Sequence, residues 1–142
     1  MNILVSACLL GVCCRYDGKA QPCEDVIRLM DKHTLIPVCP EQLGGLPTPR
    51  KPAQRRAQRV IDADAQDVTV QFLAGASEVV RLAKLYGVEC AVLKSKSPSC
   101  GEGQIYDGTF TGALIPGDGV TAQALKAAGI RVLNEKDVSS LT

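Results

Sequence analysis

The 142-residue chain has no tryptophan, only two phenylalanines and three tyrosines, and a single histidine. Proteins that bind single-stranded nucleic acid stack bases on aromatic side chains along a basic groove. A net charge of +1 with so few rings does not fit that surface. The lone histidine, His33, excludes sites built from several imidazoles. It ends an expected helix, where a cation meets the negative end of the dipole. Long apolar runs are also missing. Stretches such as Ile3–Val5 and Ala91–Leu93 fall far short of the roughly 20 residues that span a bilayer. The opening Met1-Asn2-Ile3-Leu4-Val5 lacks the basic segment and small-residue cleavage site of a secretory leader. The expectation is a cytoplasmic, monomeric protein that forms one domain over residues 1–142 and makes no membrane contact.

Cysteine, by contrast, is abundant, with seven in the chain. An odd number cannot pair completely, and a reducing compartment disfavours structural disulfides. Metal binding, redox chemistry or plain burial remain. Structural zinc usually takes four ligands with close Cys pairs. Here the closest spacings are Cys8/Cys13 and the adjacent Cys13/Cys14, and no second close pair exists to complete such a site.

The hydrophobic pattern predicts alternating elements. Asn2–Ala7, Thr34–Cys39, Glu89–Ser95 and Arg131–Asn134 read as short, nearly continuous apolar strands, the pattern of a parallel sheet covered on both faces. Helices are expected over Pro22–His33, over Val70–Tyr86 and over Val120–Ala128. Thr69 is the expected cap of the second, Leu73, Ala76, Val80 and Ala83 its buried face, and Gly87 its terminator. Gly129 stops the third. Pro40–Pro52 and Lys96–Gly108 read as loops, and Thr109–Ile115 as a further short strand. Arg55–Ile61 fits helix or strand equally. The alternation implies an α/β, Rossmann-like three-layer domain with a mostly parallel sheet. Such sheets bind ligands at the carboxyl ends of their strands.

Three cysteines fall at those ends: Cys8 after the first strand, Cys39 after the second and Cys100 a few residues after the third. Parallel strands share one carboxyl edge, so the three thiols are placed to meet. A cubane iron–sulfur cluster normally takes four cysteines. Three would leave one iron open, a soft Lewis acid that prefers sulfur. The same loops carry Glu41, the serines Ser95, Ser97 and Ser99, and the cations Lys94 and Lys96.

These stretches resemble a known family. Ser6-Ala7-Cys8-Leu9-Leu10-Gly11, Cys14-Arg15-Tyr16-Asp17-Gly18, Val38-Cys39-Pro40-Glu41, Gly44-Gly45-Leu46-Pro47-Thr48-Pro49-Arg50, Lys94–Gly101 and Tyr106-Asp107-Gly108-Thr109-Phe110 are similar to the family catalogued as domain of unknown function 523. The resemblance runs from about residue 3 to residue 134. The family includes thiouracil desulfidases, and a two-domain branch acts on thiouridine in RNA. The resemblance implies a 4Fe-4S cluster on Cys8, Cys39 and Cys100, with or without an extra bound sulfide, and catalytic places for Glu41 and Ser97. It implies a small thiolated pyrimidine as substrate, its sulfur on the open iron, and water replacing that sulfur with release of hydrogen sulfide. Ser99, Lys96, Tyr16 and Asp17 are the candidates for substrate contact; a turn is the other reading of the last two.

Other readings stand beside these. Glu41 also suits a helix cap after Pro40. Cys14 suits a fourth ligand, a resolving thiol or packing; Cys13, Cys23 and Cys90 suit packing. Arg50, Lys51, Arg55, Arg56 and Arg59 form a cationic run without an acid, either a solvated face or an RNA patch. A non-enzymatic cluster or sulfide carrier, or a desulfidase of thiouridine in tRNA, are the alternative functions. Nucleic acid is the less favoured partner on the neutral charge.

Overall fold

The computed structural model describes every residue from Met1 to Thr142. β1 (Asn2–Ser6) runs into a 3-10 turn, Ala7–Leu10, closed by Gly11 at φ +100°. α1 (Glu24–Ile27) continues as a second 3-10 turn, Arg28–Asp31, and leads to β2 (Thr34–Val38). The expected Pro22–His33 helix is thus shorter and tightens halfway. α2 (Pro40–Leu43) begins directly after Cys39, inside the stretch expected to be loop, because Pro40 suits a first helical position. β3 (Ala53–Arg56) and β4 (Arg59–Asp62) form an antiparallel hairpin, which resolves Arg55–Ile61 as strand. α3 (Thr69–Leu85) is followed by β5 (Cys90–Leu93). β6 (Gln104–Tyr106) and β7 (Leu114–Pro116) make a second hairpin, the first of them within an expected loop. α4 (Val120–Ala127) and β8 (Arg131–Asn134) complete the pattern before a last 3-10 turn, Ser139–Leu141.

The central sheet has the order β2-β1-β5-β8, and every pairing in it is parallel. Side chains alternate across it. Ile3 and Val5 face Val26, Leu29, Val138 and Leu141 on one side. Leu4, Ala91, Leu93 and Val132 face Val79, Ala83, Ala122 and Leu125 of α3 and α4 on the other. The three layers are therefore those expected. β1 connects to β2 on one side and the chain returns to β5 on the other, so the topological switch lies between β1 and β5. That is where such sheets open a crevice.

Two helical details differ from expectation. Thr69 does not cap α3: its hydroxyl accepts the Val60 N–H at 2.8 Å, while its own N–H donates to Asp67 Oδ1 at 2.9 Å. The buried face of α3 is Phe72, Gly75, Ala76, Val79 and Ala83, and Leu73 is exposed. The cause is Gly75. A Cβ there would collide with the Pro40 carbonyl, and one on Gly44 with the Gln71 carbonyl. α2 and α3 cross backbone to backbone at this pair, which turns Gly75, not Leu73, inward. No helix is long and apolar enough to cross a membrane.

Candidate active site

Three strand ends supply three thiols to one cavity. Cys8 sits in the turn after β1, Cys39 precedes α2, and Cys100 closes the Ser97–Gly101 turn after β5. All three line a cavity of about 600 Å³ at the carboxyl edge of the sheet. Each thiol is within electrostatic reach of the other two. Ser6 binds the strands together here: its buried hydroxyl accepts the Lys94 N–H at 2.9 Å.

The turn bearing Cys100 is built by Ser97. Its Oγ accepts the N–H groups of Ser99 at 3.1 Å and Cys100 at 3.0 Å. With those acceptor positions engaged, the Ser97 hydroxyl has its proton left to donate. Gly101 fits because a Cβ would lie 2.7 Å from the Ser97 carbonyl oxygen. Lys96 lines the cavity with φ +67° and pairs as a bridge with Ile105. Ser99, in contrast, is buried away from it, its hydroxyl 2.8 Å from Thr121 Oγ1 under α4. The reason is alternation along the turn: with residue 97 toward the crevice, residue 99 faces the helix.

Glu41 projects from the first turn of α2 into the cavity, but not alone. Arg50 reaches it with Nε 3.4 Å from Oε1 and an NH2 3.3 Å from Oε2, in a pair whose side chains are 5% and 18% exposed. The same guanidinium donates to the carbonyls of Cys14 at 2.9 Å and Pro47 at 3.2 Å and to Thr48 Oγ1 at 3.0 Å. Arg50 thus ties Glu41 to the Cys14 loop. Sequence reasoning placed Arg50 in a cationic run and missed this. The other cations of that run each have a partner, though Lys51, Arg56 and Arg59 stay exposed on the surface. Arg55 donates to the Ala57 and Asp118 carbonyls, Arg56 to that of Gly108, Arg59 pairs with Asp67 and Lys51 with Asp64.

The Cys39 thiol donates to the Cys14 backbone carbonyl at 3.7 Å, and the Cys14 thiol lies beside those of Cys8 and Cys39. The neighbouring Cys14 thiol holds the Cys8 pKa below its ordinary value, against burial and the nearby Cys100 and Cys39. The Cys39 pKa is raised far above the ordinary thiol range by its bond to Cys14 and by burial. Burial pushes Cys100 up to about 12. Cys14 is buried and lines the same cavity. Cys90 packs in β5, and Cys13 is exposed.

Tyr16 lines the cavity, while Asp17 lies outside it, accepting the Lys19 N–H at 3.0 Å and facing Arg15 at 3.7 Å. Tyr106 and Phe110 also line the cavity; in the sequence they stand only as part of a motif. Lys94 is neutralised by Glu135 at 3.0 Å. His33 is structural: its Nε2 meets the Leu141 carbonyl at 2.8 Å.

No three His, Cys, Asp and Glu side chains are grouped tightly enough to hold a single metal ion. A cubane makes a different demand, since each thiolate bonds its own iron and the thiols must surround a space rather than meet at a point. Three thiols on three strand ends around one cavity have that form. The family model described as 2-thiouracil desulfurase matches residues 3–137.

The chain belongs to this family.

A relative from Bacillus subtilis (strain 168), the uncharacterized protein YbbK, is 40% identical over 98% of this chain and 99% of its own. A solved structure, that of the 4Fe-4S-dependent thiouracil desulfidase TudS of the DUF523 family, is 40% identical and superposes with a TM-score of 0.90 over 99% of this chain and 94% of its own. The α/β, Rossmann-like architecture is therefore shared along the whole chain.

Proposed function

We propose that this protein is an iron–sulfur-dependent desulfidase that converts thiouracil, or a related thiolated pyrimidine, to uracil and hydrogen sulfide. One observation carries the reading: Cys8, Cys39 and Cys100 line a single cavity with Glu41 and Ser97 beside them, in a family whose solved member TudS is named for this activity. Cys8, Cys39 and Cys100 would hold a 4Fe-4S cluster, losing their protons to it on binding. Bound there, the cluster supplies one iron without a protein ligand, a soft Lewis acid for sulfur.

The chain's own groups supply the rest. The Glu41 carboxylate, oriented by Arg50, accepts a proton from the water that replaces sulfur at the ring carbon. The Ser97 hydroxyl, with its acceptor positions taken by backbone N–H groups, donates to the substrate and orients it. Lys96 favours anionic species at the same wall of the cavity. A carrier of sulfide would need no such acid–base pair. RNA as substrate is disfavoured by the net charge of only +1. The test is anaerobic reconstitution followed by sulfide release from 2-thiouracil, from thionucleosides and from thiolated tRNA. Many sulfides per cluster from the free base are expected. Release of one sulfide or fewer per cluster would make the protein a carrier instead.

A further inference from the structure

Phe110 is 38% exposed, lines the cavity and stands at φ +59°. A bulky residue in the left-handed region is an outlier, because its Cβ crowds the backbone. Glycine would relieve the crowding, so a phenylalanine here is held for its ring. What holds it is visible. Gln54 Oε1, from β3, accepts both the Phe110 N–H and the Gly108 N–H at 3.1 Å. Arg56 donates to the Gly108 carbonyl at 2.7 Å. Asp107 Oδ1 accepts the Thr109 N–H at 2.9 Å and hydroxyl at 2.6 Å. The loop between β6 and β7 is thus clamped onto the β3–β4 hairpin with one aromatic ring directed at the cavity that contains the thiols.

We propose that Phe110 is the stacking residue that holds the flat face of a pyrimidine ring in this cavity, and that Gln54 is its positioning residue. This inference rests on the desulfidase reading of the same site and names how its substrate is recognised. A stacked ring is selected by planarity, since every base has a π-face. Unringed thiones therefore lose this contact while keeping any bond through sulfur. The contact adds binding without chemistry, so its loss acts on KM rather than kcat.

The test uses the full chain with its cluster reconstituted, and two substitutions with opposed expectations. F110G removes the ring and relaxes the backbone. It should leave Tm at or above that of the parent and iron content unchanged. It should raise KM for 2-thiouracil by roughly 5- to 100-fold, the range for one lost base–aromatic stack. F110W should recover most of that affinity. The chain has no other tryptophan, so its fluorescence also reports uracil binding directly, by quenching on titration, without turnover. Q54A should follow F110G in KM, and Q54E, which keeps the acceptor oxygen, should restore it. An F110G variant with parental KM would overturn the proposal, as would one whose Tm falls together with its affinity, since the ring would then only prop the loop. If the parent releases no sulfide yet F110W is quenched by uracil, the ring site stands and the desulfidase reading fails. If F110W is not quenched while the parent turns over, the stacking inference fails alone.

Discussion

Gly75→Ala sets two effects of opposite sign against each other. Alanine in a helix interior is favoured over glycine by about 1 kcal/mol, so propensity alone predicts a more stable protein. Gly75, however, is buried where α3 meets α2, and the Cβ added would collide with the carbonyl of Pro40. The obstacle is backbone, not the end of a flexible side chain, so the helices must part. Overpacking of this kind costs typically about 1–3 kcal/mol and at times more. The rigid obstacle argues for the upper end. The net expectation is destabilisation of about 2 kcal/mol, or a fall in Tm of roughly 5–8 °C for a domain of this size. The effect reaches the site, because Pro40 follows Cys39 and opens the turn carrying Glu41. Thermal and urea unfolding of G75A should be compared with Ala74→Gly, an exposed position on the same helix that reports propensity alone. The A74G change should cost about 1 kcal/mol. A G75A protein as stable as the parent, with unchanged iron content, would refute the argument that backbone contact between α2 and α3 positions the second cysteine.

Glu41→Ala should keep its iron and lose turnover, measured as iron per chain and sulfide release; loss of iron instead would give Glu41 a structural role. Arg50→Ala should destabilise by about 3–5 kcal/mol in urea unfolding, since it strands a largely buried carboxylate, and Arg50→Lys, lacking the planar fork, should recover only a minor part. Burial acts to raise the Glu135 pKa, but hydrogen bonds from its own backbone and from Ser95, with the Lys94 ammonium, outweigh it and hold the carboxyl below its ordinary 4.5. A depressed folded pKa stabilises above the unfolded value and is lost as pH falls, so the stability difference between the parent and Glu135→Gln should be full above about pH 5 and shrink below pH 4.5 as the carboxyl protonates. Turnover should proceed without an external reductant, because exchanging sulfur for oxygen leaves the ring carbon at one oxidation level; a stoichiometric requirement for dithionite would place the chemistry among redox reactions.

What could be read in advance followed from continuity of pattern. Ile3–Val5 and Ala91–Leu93 are apolar on both sides of the strand, the pattern of a doubly covered parallel sheet. Once the strands were placed, the carboxyl-edge rule located Cys8, Cys39 and Cys100 without any need for close spacing. The register of α3 was not legible, since Leu73–Val80 and Phe72–Val79 are equally good stripes at helical spacing. The choice was made by a glycine contact across the fold. The β3–β4 hairpin was ambiguous because its alternation is weak and its arginines bond to distant carbonyls. Arg50 looked like one cation of a run, and only its burial against Glu41 separates it. Ser99 and Ser97 carry the same side chain two residues apart, and the turn, not the composition, decides which one faces the cavity. Phe110 lies in a loop, where no periodicity marks a buried or directed ring.

The most direct test of the account is the iron content of the seven single Cys→Ser variants after anaerobic reconstitution, each assayed in parallel for multiple-turnover sulfide release from 2-thiouracil. The account predicts that the parent binds about four irons per chain, that C8S, C39S and C100S lose the cluster and the activity together, and that C13S, C23S and C90S keep both. C14S should keep its iron, since the bond from the Cys39 thiol goes to the Cys14 backbone carbonyl, which the substitution leaves in place. Full activity in any of the three ligand variants, or equal loss of iron in C14S, would contradict a three-cysteine cluster with one open iron.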